Sequence, residues 1–107
     1  MTEERKYDLE AFLDLQDRLD IMMHLGGLQE ILKENDAWNT MLVDTTRNVT
    51  KRYITHEELE HMLGLMVLCR DITDRMPEDE NVIKMRNRLD EIIAKLREQY
   101  SGQQGNG

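Results

Sequence analysis

The sequence predicts an all-α fold, a small bundle of three to four helices that includes one antiparallel helical hairpin. Apolar residues recur at spacings of three and four along most of the chain, which is the period of an amphipathic helix. The two clearest patterns, residues 55–76 and 78–100, meet at Pro77, the only proline among 107 residues. With 39% apolar and 34% charged residues, the chain suits one small, highly charged domain. We expect that domain to span residues 1–100, and residues 101–107, which have nothing to bury, to form a disordered C-terminal tail.

The helical hairpin is the most strongly patterned part of the chain. Thr55, followed three residues later by Glu58, has the pattern of a capping box and predicts a helix start. Pro77 ends this helix and is suited to open the next one at its first turn. Each helix carries an apolar seam: Leu59, Met62, Met66 and Cys69 on the first, and Val82, Met85, Leu89, Ile92 and Leu96 on the second. We expect the two seams to face each other.

The segment before the hairpin is less regular. Residues 3–34 are predicted to be helical, with two apolar stripes that are one residue out of phase. The first stripe is Phe12, Leu15, Leu19 and Met22, and the second is Ile21, Leu25, Leu28 and Leu32. Gly26-Gly27 lies at the shift, and each glycine weakens a helix by about 1 kcal/mol relative to alanine. The pattern indicates a kink, a break into two helices, or a close approach by another helix.

Residues 37–54 fit two different structures. One helical face would hold Trp38, Leu42, Thr45, Val49 and Tyr53. However, the segment is rich in β-branched residues, and the residues at 44–47 suit a turn, so a hairpin or a loop fits as well. The pattern favours the helix and leaves the hairpin open.

Charge is distributed unevenly, and the net charge is −8. This balance argues against direct nucleic-acid binding, whose affinity comes mainly from Lys and Arg. Glu10, Asp14 and Asp17 follow one another at helical spacing, and we call them the acidic row. One interpretation is a charged helix face that docks a basic protein. The alternative is an ordinary solvated face.

A small basic segment interrupts this acidic chain. It consists of Arg47, Lys51, Arg52 and the neighbouring Tyr53, and we call it the basic island. Such a group suits a phosphate, a nucleotide or an acidic protein surface. The alternative, which the balance of charges favours, is that it pairs with the acidic first helix of the same molecule or of a second copy.

Glu58 and His61 form a Glu-x-x-His pair on one helix face. The pair resembles the motif of the ferritin-like di-iron proteins, which implies a metal-binding bundle in which a second copy supplies the second pair. Residues 57–70 also resemble the second metal-binding helix of the all-α nucleotide pyrophosphatases, which implies Mg²⁺ near phosphates, although His61 stands where that family has Asp. The alternative is that Glu58 only completes the capping box. A metal-dependent bundle enzyme centred on this pair is the competing function.

The remaining features favour a binding protein without catalytic residues, metal or cofactor. Cys69 is the only cysteine and lies in the most apolar stretch, where a thiol is inert. No apolar run reaches the length of a membrane span, and the first residues lack a signal-peptide layout. We therefore expect a small cytoplasmic protein-binding module, such as an adaptor, regulator or inhibitor. We also expect a homodimer or higher oligomer, because the helices carry more apolar faces than one bundle covers. A nucleotide- or phosphate-binding module that uses the basic island is the third option.

Overall fold

The bundle is all-α, as the sequence predicts, and it carries one small two-stranded sheet. The structure is a computed structural model and describes residues 6–105. Its elements in chain order are β1 (Lys6–Asp8), α1 (Leu9–Phe12), α2 (Leu15–Leu32), α3 (Asp36–Val49), β2 (Tyr53–Thr55), α4 (His56–Asp74) and α5 (Glu80–Gly105). α4 is the central helix, because it packs against α5, α2, α3 and both strands.

The hairpin of α4 and α5 confirms the strongest part of the sequence pattern. The hydroxyl of Thr55 accepts a hydrogen bond from the Glu58 backbone at 3.1 Å, and the Glu58 carboxylate accepts one from the Thr55 backbone at 2.9 Å. α5 begins later than expected, at Glu80, and the Asp79 carboxylate accepts a bond from the Val82 backbone at 2.9 Å. The expectation that Pro77 opens this helix is wrong, because Pro77 lies in the connection.

The end of α5 differs from the predicted domain boundary at residue 100. The helix continues to Gly105, through most of the segment 101–107 for which the sequence predicts a disordered tail. Residues 106 and 107 lie outside the described part of the chain. The sequence pattern missed this last turn because it looks for buried apolar residues, whereas a helix that is already formed extends by one backbone hydrogen bond per residue.

The expectation that residues 3–34 are helical throughout is wrong. Residues 3–5 lie outside the described part, and the remainder forms β1, α1 and α2. The break falls at Leu13, whose backbone is extended, with φ −124° and ψ 128°. Asp14 then caps α2: its carboxylate accepts from the Asp17 backbone at 2.7 Å, and the Asp17 carboxylate accepts from the Asp14 backbone at 3.0 Å. A capping box of two aspartates thus starts a new helix inside the predicted one.

Gly26-Gly27 does not break the helix, contrary to one of the three expectations. The pair lies inside continuous α2, and a Cβ built on either glycine meets no atom within 4 Å. The second apolar stripe faces the core, since Ile21, Leu25 and Leu28 are buried. The first stripe is wrong for Leu15 and Leu19, which are exposed, whereas Phe12 and Met22 are partly buried against the core.

Residues 37–54 form a helix followed by a strand, and the hairpin that the pattern left open does not form. The first part is helix α3, in which Leu42, Thr45 and Val49 are buried as the helical face predicts. The last part is strand β2, which pairs antiparallel with β1 so that Tyr7 lies opposite Ile54. Both of these side chains are buried, so the small sheet adds to the same hydrophobic core as the helices.

That core lies around α4. Its contributors from α4 and α5 are Leu59, Met62, Leu65, Met66, Cys69, Leu89, Ile92, Ile93 and Leu96. The two predicted seams therefore face each other over most of their length. Two of the methionines fill this core, and others lie at its edge or on the surface.

Candidate functional site

The acidic row does not form one exposed helix face. Glu10 lies on α1, Asp14 is the N-cap of α2, and Asp17 is wholly buried. The expectation of a continuous acidic docking face is therefore wrong for these three residues. The physical reason is the helix break at Leu13, which separates the first member of the row from the other two.

Asp17 lies between two cations of α5. It accepts a hydrogen bond from Arg88 Nη2 and another from Lys95 Nζ, both at 2.7 Å. Burial on its own raises the pKa of the Asp17 carboxyl. The hydrogen bonds from Lys95, the Asp14 backbone and Arg88 outweigh burial and hold that pKa below its ordinary value. Arg88 also bonds Asp20 at 2.5 Å, so this charge cluster holds α2 to α5.

The basic island is split in two by the fold. Arg52 faces β1, where it bonds both carboxylate oxygens of Asp8 at 3.3 Å and approaches Glu10 to 3.9 Å. These contacts, first among them the hydrogen bond to Asp8, raise the pKa of Arg52. The guanidinium also lies 5.2 Å from the ring centre of Tyr53. This half of the island pairs with the acidic start of the same chain, as its alternative interpretation predicts.

The other half of the island lines an open cleft of about 400 Å³ between the end of α3 and the start of α4. Arg47 and Lys51 line it from the α3 side, and Glu58 and His61 line it from the first turns of α4. The remaining lining residues are Asp44, Asn48, Thr55 and Glu57. We call this the polar cleft. It brings together two groups that the sequence presents as separate candidates.

The Glu58–His61 pair is not arranged as a metal centre among residues 6–105, where no three His, Cys, Asp or Glu side chains cluster closely enough to hold an ion. One Glu58 oxygen completes the capping box, and the other lies 3.8 Å from Lys51 Nζ. His61 lies 4.0 Å from Glu57. The hydrogen bonds of the capping box confirm the capping interpretation of Glu58. The described residues of one copy bring no third ligand to the pair, and the contribution of a second copy stays a prediction.

Asn48 is a residue of the polar cleft that the sequence analysis did not single out as a site. It is only 6% exposed. No residue of the described chain makes a hydrogen bond to its side-chain amide, which reaches the solvent of the cleft instead. Its place in the sequence, between Arg47 and Lys51 at the end of a helix, was the available signal.

An apolar groove of about 250 Å³ lies near the C-terminal end of α4. Met23, Gly27 and Ile31 line it from α2, Ile72 lines it from α4, and Met76 lines it from the connection that follows α4. Its other lining residues are His24, Leu28, Cys69, Thr73 and Met85. Met23 is 63% exposed, Ile31 62% and Met76 42%. Large apolar side chains are therefore presented to solvent along one concave surface.

Two titratable groups lie at the floor of the apolar groove. Burial lowers the pKa of His24 below its ordinary value, and burial raises the pKa of the Cys69 thiol to about 12. The Cys69 sulfur lies 3.8 Å from the His24 carbonyl oxygen. Both groups are thus neutral near pH 7, and the groove stays uncharged along its floor. The burial of Cys69 agrees with the expectation of a protonated thiol.

The chain matches no protein-family model, no curated protein and no solved structure. Between residues 6 and 105, no helix combines the length and the apolar character that crossing a bilayer requires. The candidate sites therefore rest on the polar cleft and the apolar groove themselves.

Proposed function

We propose that this chain is a small cytoplasmic protein-binding module, an adaptor, regulator or inhibitor that acts by docking rather than by catalysis. Its partner enters the apolar groove. The observation that carries this proposal is the exposure of Met23, Ile31 and Met76 along one concave surface. Single exposed apolar residues are ordinary, but a contiguous apolar concavity is typical of docking sites. Methionines suit such a surface because their flexible side chains adapt to a partner.

The occupant that fits this groove is an amphipathic helix with a basic polar face. Helices dock in this way between two helices of a receptor, with apolar anchors on one side. Gly27 supports the choice, because the open space at its Cβ position lets a partner backbone approach closely. Packing within the chain does not explain this glycine, which costs helix stability. The net charge of −8 attracts a basic helix and repels a second copy of the chain.

Self-association remains the competing prediction for the same surface. A homodimer would cover Met23, Ile31 and Met76 with the same residues of a second copy around a two-fold axis. Such a dimer has to overcome the repulsion between two chains of charge −8. The oligomeric state therefore distinguishes the two occupants.

Titration with two designed helical peptides tests the proposal. Both are about 18 residues long, or five turns, with leucine on one face and either lysine or glutamate on the other. We expect the lysine peptide to bind at least tenfold more tightly, and its binding to weaken as salt rises from about 50 to 500 mM. Sedimentation equilibrium of the protein alone at micromolar concentration should show a monomer.

Variants distinguish binding in the apolar groove from non-specific electrostatic attraction to an acidic protein. Ile31→Glu and Met76→Glu should each weaken binding of the lysine peptide by tenfold or more. Leu15→Glu is the matched control, because it makes the same charge change at an exposed apolar residue outside the groove. An equal loss in the control contradicts the groove as the docking site. A dimer that dissociates in Ile31→Glu makes the second copy the occupant and overturns the choice of a partner helix.

A further inference from the structure

Two cations at the polar cleft lack strong partners within the described chain. The Arg47 guanidinium makes no ion pair or hydrogen bond to any of residues 6–105. The Lys51 ammonium has only the 3.8 Å contact with Glu58. By contrast, Arg52 and Arg88 bond acidic side chains at 3.3 Å or less. The cleft therefore presents two cations that intramolecular pairing uses weakly, beside the carboxylates of Asp44, Glu57 and Glu58.

Asn48 adds an independent observation that points to a ligand. The residue as a whole is only 6% exposed, and its amide reaches the solvent of the cleft, where no described residue bonds it. The amide thus offers two N–H donors and a carbonyl acceptor that have no partner among the described residues. A ligand in the cleft would supply that partner and would contact Arg47 and Lys51 from the same position.

The carboxylates of the cleft define the rest of the ligand. Asp44 and Glu57 are exposed acceptors, while Glu58 is engaged in the capping box. Two carboxylates repel a bare phosphate, but they accept hydrogen bonds from hydroxyl groups. The fitting ligand therefore carries both an anion and hydroxyl donors. The volume of about 400 Å³ lies within the range of small-molecule sites, about 300–1,000 Å³.

We propose that the polar cleft binds a small phosphate ester with neighbouring hydroxyl groups, of the kind present in a sugar phosphate and in the ribose phosphate of a mononucleotide. Arg47, Lys51 and the Asn48 amide hold the phosphate, since guanidinium and ammonium donors form strong, charge-assisted bonds to phosphate oxygens. Asp44 and Glu57 accept from the hydroxyls. This site is separate from the apolar groove, so the failure of either proposal leaves the other standing.

Titrations followed by ¹⁵N NMR test the site with ribose 5-phosphate, ribose, inorganic phosphate and adenosine monophosphate. We expect ribose 5-phosphate to bind at least tenfold more tightly than ribose or inorganic phosphate, and to shift the Asn48 side-chain amide signals. Equal or tighter binding of adenosine monophosphate assigns the site to mononucleotides, and its exclusion assigns the site to sugar phosphates. Equal binding of inorganic phosphate and ribose 5-phosphate overturns the hydroxyl recognition.

Three variants assign the roles of the side chains. Arg47→Gln and Lys51→Gln should each weaken ribose 5-phosphate by tenfold or more. Arg75→Gln is the matched control, because Arg75 is exposed, pairs with Asp71 and lies outside the cleft, and it should change nothing. A similar loss of affinity in all three variants would mean that only the overall charge of the protein matters. That result would contradict the site.

The Asp44→Asn variant distinguishes a carboxylate that accepts a hydrogen bond from the ligand from one that only repels the phosphate. If Asp44 accepts a hydrogen bond from a ligand hydroxyl, this variant weakens the binding of ribose 5-phosphate. The binding of inorganic phosphate then stays unchanged or becomes slightly tighter. If the carboxylate only repels, both ligands bind more tightly and the proposed ligand class is wrong. The circular dichroism spectrum of each variant should match that of the unmodified protein, because these side chains are exposed.

Discussion

The acidic row and the basic island have opposite surroundings in the folded chain. In the acidic row, Asp17 is buried and bonded to Arg88 and Lys95 of α5. In the basic island, Arg47 and Lys51 lie at an open cleft with at most one distant ion pair. The first region uses its charge to hold helices together, whereas the second leaves charge available to a ligand.

This difference teaches that charge spacing alone does not indicate what a charged group does. Asp17 and its partners Arg88 and Lys95 are 71 and 78 residues apart. Helical spacing describes neighbours within about one turn, so it carries no information about such pairs. The distinguishing property is whether another helix supplies a partner, and only the packing of α5 on α2 decides it.

The largest expected effect comes from removing the buried charge of the acidic row. Asp17→Asn removes the carboxylate that Arg88 and Lys95 share. Because both cations are partly exposed and Arg88 keeps its bonds to Asp20 and Glu91, we expect a loss of about 3 kcal/mol, the lower end of the cost of breaking a buried ion pair. Urea denaturation measures this loss in the free energy of unfolding. Glu91→Gln is the control, because its contact with Arg88 is exposed and contributes about 1 kcal/mol at most. A loss below about 1 kcal/mol in Asp17→Asn would place Asp17 among surface charges.

Truncating a buried side chain of α5 tests whether apolar packing stabilises this helix as much as the charge cluster around Asp17 does. Leu89 is fully buried in the core, next in sequence to Arg88. Leu89→Ala should lower the free energy of unfolding by about 2–5 kcal/mol, because it removes apolar contact and leaves a cavity. Thermal melting measures the effect. A change of one degree or less would mean that α5 depends on its charges and not on its seam.

Acid pH should remove the stability that the ionised Asp17 carboxylate contributes. The pKa of Asp17 is lower in the folded chain than its ordinary value of 3.8. The stability from this group is therefore fully present above its unfolded pKa and is lost as pH falls through the folded pKa. Between about pH 6 and pH 3, the unmodified protein should lose more stability than Asp17→Asn does. Parallel curves for the two proteins in urea denaturation would contradict the assigned role.

Much of the fold follows from local signals that the sequence displays directly. The capping box of Thr55 and Glu58, the stop at Pro77 and the seam through Leu89 need only neighbouring residues to act. Asp14 and Asp17 have the spacing of a capping box, which is a local signal for the break at Leu13. The break was missed because apolar residues continue on both sides of it. The strand pairing of Tyr7 with Ile54 was missed because it joins distant segments.

The candidate sites follow from the sequence only in part. Arg47, Lys51, Glu58 and His61 were recognised as residues of interest, but their meeting in one cleft depends on how α3 packs against α4. The apolar groove had a local signal at Gly26-Gly27, where close approach by another helix was one of three interpretations. Its remaining walls come from α4 and α5, which no local pattern connects to α2.

The smallest expected effect sharpens the comparison most directly. Arg47→Gln removes a charge that makes no ion pair to the described residues, so the free energy of unfolding should change by about 0.5 kcal/mol or less. The same urea denaturation that measures Asp17→Asn measures this variant. A stable Arg47→Gln protein that no longer binds ribose 5-phosphate assigns the charge to a ligand. A loss as large as that of Asp17→Asn would instead make Arg47 a structural residue, and the contrast between the two charged regions would fail. Because both variants replace one charged side chain with a neutral amide, the difference between them reports the surroundings of each charge.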